Sequence, residues 1–83
     1  MKVYDFKGSK NACGSNVRRI RRAKNLSQSQ LAAMVQMEEL MLQRDSISRI
    51  ELGTRFVADY ELNVLARVLG VSMEELVDMP EDK

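Results

Sequence analysis

The sequence predicts an all-α domain of five helices. Gly and Pro are scarce, four and one in 83 residues, and only Gly53 and Gly70 interrupt the long middle stretch. Apolar residues recur there three and four apart, the spacing of one helix face. Two Ser-x-x-Gln/Glu patterns, Ser27 to Gln30 and Ser72 to Glu75, have the form of capping boxes that start helices. The length suits a single small domain. Residues 14–78 are expected to form it, with residues 1–13 as an N-terminal arm or short strand and residues 79–83 as a tail.

Within residues 1–13, Val3-Tyr4-Asp5-Phe6 reads either as a strand or as a flexible arm. Helix 1 is expected to take Ser15 or Asn16 as N-cap and run to about Lys24, with Val17, Ile20 and Ala23/Lys24 on one face. Asn25 suits the left-handed position that follows a helix. Helix 2 opens at Ser27 and turns Leu31, Ala32 and Val35 inward. Helix 3 begins near Gln43–Asp45, buries Ile47 and Ile50, and ends at Leu52 with Gly53 behind it. Helix 4 starts at Asp59, buries Leu62, Leu65, Ala66 and Leu69, and stops at Gly70. Helix 5 follows the Ser72 box and buries Leu76.

The net charge of +1 hides a gradient. Residues 1–30 carry eight Lys or Arg and one Asp, whereas residues 56–83 carry two basic and seven acidic residues. A polyanion would meet the first half and avoid the last third. The longest unbroken apolar run is Leu31 to Val35, far short of the roughly 20 residues of a membrane span. The first residues lack the apolar segment of a secretory signal. Histidine is absent and Cys13 is the only cysteine, so neither a zinc site nor a Cys–His nucleophile is expected. Cys13 reads as a small apolar filler near a helix start, and the absence of a second cysteine fits a reducing cytoplasm. No Gly-rich phosphate loop is present, and the neighbours Glu38/Glu39 and Glu74/Glu75 point about 100° apart on a helix, so neither pair converges on a substrate. An enzyme is not expected, nor is any metal or cofactor.

Helices 2 and 3, the second with small polar and charged residues on its outer side, have the helix-turn-helix pattern. Four blocks sharpen it: Val17-Arg18-Arg19-Ile20-Arg21, Leu26-Ser27-Gln28-Ser29-Gln30-Leu31-Ala32, Ile47-Ser48-Arg49-Ile50-Glu51-Leu52-Gly53 and Leu65-Ala66-Arg67-Val68-Leu69-Gly70-Val71. In this order they resemble the Cro/repressor-type (XRE) helix-turn-helix family over about residues 14–78. The resemblance implies a five-helix, repressor-like domain that binds operator double-stranded DNA, usually as a symmetric dimer, and regulates transcription. It also implies a partly buried ion pair between Arg21 and Glu51.

Two departures stand out. The family's usual turn between helices 2 and 3 is short and contains Gly, whereas Gln36 to Leu42 is longer and has none, like a subset of the family with a lengthened connection. Either helix 2 is extended or an extra turn crosses before helix 3. Met34, Met37 and Met41 fall at i, i+3 and i+7 there. They serve either as core under the lengthened elbow or as a surface for a second copy or another protein; the C-terminal region, Val71 to Met79, is the alternative surface for a second copy. The second departure is Gln43, a poor N-cap where the family often has Ser or Thr.

The expected reading helix presents Arg44, Asp45, Ser46, Ser48 and Arg49 to bases. Arginine reads guanine O6 and N7 with two parallel hydrogen bonds. Asp45 either stabilises the helix start through the dipole or accepts from a cytosine amino group. Gln28, Gln43, Arg55, Arg18 and Arg22 are the expected phosphate contacts; for Arg18 and Arg22 the alternative is a solvated charge. A protein-interaction module or antitoxin on the same fold is the other functional reading, since fold alone does not fix function.

Overall fold

A computed structural model describes residues 8–78. Among them five helices follow one another: α1 (Gly14–Ala23), α2 (Gln28–Met37), α3 (Arg44–Leu52), α4 (Asp59–Leu69) and α5 (Met73–Val77). Val3 to Phe6 and residues 79–83 lie outside the described residues.

Local chemistry accounts for most helix ends. Ser27 and Ser72 each accept from the backbone N–H three residues on, and Gln30 and Glu75 reach back to the cap N–H, closing both capping boxes. Asn25, at φ 58°, takes the left-handed turn after α1. Gly53 and Gly70 end α3 and α4 in the same conformation.

The start of α1 is corrected. Neither Ser15 nor Asn16 is its cap: the N-cap is Cys13, whose side chain caps nothing. Asn11 does this work instead, its Oδ1 accepting from the N–H groups of Cys13 (3.1 Å) and Gly14 (2.7 Å). Asn16 is buried within α1, and its Nδ2 donates to the carbonyls of Leu76 (2.9 Å) and Asp78 (2.6 Å), which ties α1 to the end of α5. The inner face of α1 is also shifted: Cys13, Val17 and Ile20 are buried, while Ala23 and Lys24 are exposed.

A single core joins all five helices. Val17, Leu31, Val35, Ile47, Ile50, Leu65, Leu69 and Leu76 are fully buried in it. α3 packs against both α1 and α2, α4 closes over α2, and α5 packs on α1 and α4. Cys13 fills the edge of this core, and burial pushes its thiol pKa up to about 11.

The elbow between α2 and α3 is an added turn rather than a long extension of α2: the N–H groups of Glu38 and Glu39 donate to the carbonyls of Val35 and Gln36, each at 2.9 Å. α2 ends at Met37, Glu39 takes a left-handed φ of 65°, and residues 40–43 run on without helix. Gln36 Nε2 donates to the Leu42 carbonyl at 3.0 Å and ties the end of α2 to this segment. Leu42 is buried and Leu40 packs against the core. Met37 and Met41 are 83% and 74% exposed, so the reading of the Met stripe as elbow core is wrong. Only Met34 is partly covered.

Candidate nucleic-acid interface

α3 is held from behind. Ile47 and Ile50 lock its inner face into the core, leaving Arg44, Asp45 and Arg49 exposed and Ser46 and Ser48 half-buried on its flanks. Gln43 occupies the N-cap with no side-chain hydrogen bond. Asp45, in the first turn, supplies a carboxylate where the helix dipole favours one. Its Oδ1 lies 3.5 Å from Arg44 Nη2, a loose contact between two solvated groups that leaves both side chains available.

A buried ion pair sets α3 against α1. Arg21 Nε and Nη2 donate to Glu51 Oε2 (2.7 Å) and Oε1 (3.0 Å), a two-pronged match of guanidinium to carboxylate. The side chains are only 10% and 3% exposed. Arg21 Nη1 donates to the Leu26 carbonyl at 2.6 Å, and Gln28 Nε2 donates to Glu51 Oε1 at 3.1 Å. Hydrogen bonding to Glu51 raises the Arg21 pKa further, against the opposing effect of burial. One cluster thereby fixes α1, the start of α2 and the end of α3 relative to each other.

Beside this cluster a cleft of about 170 Å³ is lined by Arg18, Arg21, Gln28, Ser48, Glu51 and Leu52. It brings together Arg18, Gln28 and Ser48, expected site residues from three different helices. Arg22 lies exposed one turn beyond Arg18 on α1 and does not line the cleft.

Arg55 stands apart. Its guanidinium donates to Glu61 Oε1 (2.9 Å) and Oε2 (3.0 Å) and to the Phe56 carbonyl (2.8 Å). The contact holds the Glu61 carboxyl below its usual range, through the Arg55 hydrogen bonds first and the Ala58 N–H as well, with burial working the other way. Arg55 therefore braces the loop after α3 against α4, and its charge is matched inside the protein.

Three determinants of the site have no counterpart in the sequence reading. Arg55–Glu61 is one, and the Asn16 tie is another. The third is the strap of residues 9–11 across the end of α3. Lys10 N–H donates to the Gly53 carbonyl at 2.8 Å, and Asn11 Nδ2 donates to the carbonyls of Ile50 (3.0 Å) and Arg55 (2.8 Å). Lys10 Nζ also sits 5.1 Å from the centre of the Phe56 ring. The only local hint was an Asn three residues ahead of Gly14, a spacing at which Asn can cap a helix start.

Two consecutive helices joined by an elbow, the second fixed by its apolar side and bearing exposed cations on its other side, define a helix-turn-helix domain. A helix-turn-helix family model matches residues 17–76. The chain belongs to the Cro/repressor-type (XRE) helix-turn-helix family, a family of DNA-binding regulators. Neither the curated proteins nor the solved structures give a match to it. Among the described residues no helix is long and apolar enough to cross a membrane.

Proposed function

We propose that this chain is a sequence-specific transcription regulator that reads operator DNA by placing α3 in the major groove. The observation that carries the reading is the pair of exposed arginines, Arg44 and Arg49, on a helix whose opposite face is locked into the core. A rigid helix with two exposed guanidiniums matches guanine edges at fixed separation. Asp45, Ser46 and Ser48 complete the reading surface. Arg18 and Arg22 contact phosphates from α1, Gln43 does so from the start of α3, and Gln28 from the N-terminus of α2, where free backbone N–H groups favour an anion. Arg55 has no part in this set, because Glu61 holds it. The proposed place of action is the cytoplasm.

Arg44→Ala and Arg49→Ala are each expected to cost about 1–3 kcal/mol on the selected site and to relax preference at one base position. Selection of bound sites from a random DNA pool, repeated with each variant, measures this. Wild-type binding should weaken steeply with salt as counterions are released. No enriched site, or unchanged preference in both variants, rejects the reading and leaves a protein-interaction module.

The same reading includes a symmetric dimer with its two α3 helices about 34 Å apart, one DNA turn. Met37 and Met41 support the elbow as the pairing surface, being apolar and largely exposed. Light scattering is expected to show a dimer at high concentration or on DNA, and Met37→Glu with Met41→Glu is expected to weaken it. A monomer under both conditions eliminates the dimer.

A further inference from the structure

We propose that Leu52 is a specificity-determining residue that reads the C5-methyl group of a thymine in the major groove. The inference rests on the reading of α3 as the helix that enters DNA. Leu52 is the last residue of α3 and is 69% exposed. Asp45, Ser48 and Arg49 stand seven, four and three residues before it, spacings that set all four on one helix face. Ile47 and Ile50, five and two residues before it, turn the opposite way into the core. Leu52 therefore sits on the outward face of α3, among the residues assigned to bases.

The surroundings of Leu52 select the contact. The cleft beside it is otherwise lined by Arg18, Arg21, Gln28, Ser48 and Glu51, so Leu52 is the one apolar side chain of the lining. An apolar protein surface finds no second anchor there. Arg18, Gln28 and Ser48 come from three helices, and a duplex that meets all three also covers Leu52. Covering it removes apolar surface from water, which favours binding when the covering group is itself apolar. The major-groove edges of the bases present hydrogen-bonding atoms and one such group, the thymine C5-methyl. Leu52 follows Arg49 by three residues, roughly 4.5 Å along the helix axis, against about 3.4 Å between base pairs. The thymine therefore lies one or two base pairs from the base that Arg49 reads.

The test uses the full chain and the site selected from a random DNA pool. Each thymine of that site is replaced in turn by deoxyuridine, which removes the methyl and keeps every hydrogen-bonding atom. Affinity is read by fluorescence anisotropy. The expected result is a loss of about four-fold at a thymine one or two base pairs from the position whose preference Arg49→Ala relaxes. Leu52→Ala is expected to bind the thymine site weaker by a similar factor and to hold the thymine and deoxyuridine sites equally. It should keep its melting temperature, because Leu52 lies outside the core. Wild-type affinity that no deoxyuridine changes overturns the proposal. So does a deoxyuridine loss that persists undiminished in Leu52→Ala, because another residue then reads the methyl. Weaker binding by Leu52→Ala with a wild type insensitive to deoxyuridine places the leucine on the sugar-phosphate backbone, and overturns it likewise. If no site is enriched, α3 is not a reader and this inference falls with that reading. An enriched site without a deoxyuridine effect rejects the role of Leu52 alone.

Discussion

Arg21→Met is expected to destabilise the protein by about 3–5 kcal/mol, most of what a core this small supplies. The substitution leaves the Glu51 carboxylate, 3% exposed, without its guanidinium and strips the Leu26 carbonyl of its donor. Gln28 Nε2 remains to Glu51, but one neutral donor does not offset a buried negative charge. Glu51→Met is expected to cost a similar amount by stranding the guanidinium. The double variant should recover a large part of the loss, since no charge is then buried. Recovery should stay incomplete because the Leu26 carbonyl still lacks its partner. Urea unfolding of the four proteins measures the coupling directly. Small, additive losses would mean that the pair behaves as a solvated one, worth about 0–1 kcal/mol. The same variants should lose DNA binding only in proportion to unfolding, because the cluster orients α3 without touching bases.

Gly14→Ala should destabilise by about 3 kcal/mol, the upper end of overpacking. Elsewhere in a helix the same exchange favours folding by roughly 0.5–1 kcal/mol. Here a Cβ would collide with the Ile50 carbonyl oxygen, well inside van der Waals contact, and would press on Asn11 Oδ1 at 3.0 Å. Neither neighbour can yield cheaply. The Ile50 oxygen belongs to the α3 backbone and accepts from Asn11 Nδ2, while Asn11 Oδ1 is held by two N–H groups. The start of α1 would have to lift off α3. Thermal melts beside the control Ser15→Ala, at an exposed neighbour and expected within about 0.5 kcal/mol of wild type, isolate the effect. A Gly14→Ala protein as stable as the control would show that α1 and α3 do not approach this closely.

Several features were legible because they are local. Ser27 with Gln30 and Ser72 with Glu75 act within one turn, so their spacing alone marks the starts of α2 and α5. The burial of Leu31, Ala32 and Val35, or of Ile47 and Ile50, follows from helical spacing. The long elbow was legible as a departure, but its path was not. Met34, Met37 and Met41 share a face only if α2 continues, and Glu39 ends it with a left-handed turn that a Glu side chain does not signal. Leu40 and Leu42, adjacent to those Met residues in sequence, fill the core instead.

The start of α1 shows how local logic misleads. Ser15 and Asn16 are good cap types, yet Asn16 is drawn into α1 by the Leu76 carbonyl, 60 residues away. Asn11 becomes the cap because its other amide atom reaches Ile50, 39 residues on. Nothing near Arg55 in the sequence signals that Glu61 pairs with it. Only when α4 packs does Glu61 come within 3 Å of it.

The sequence by itself determined the number and type of helices, most of their ends, the core faces of α2 to α5 and the family, because these depend on spacing and caps within a few residues. The tertiary structure decided which polar side chains are free to meet a ligand. Buried carbonyls and carboxylates must find partners wherever the folded chain brings them. That demand ties Asn11, Asn16 and Arg55 into the fold, and leaves Arg44 and Arg49 facing solvent.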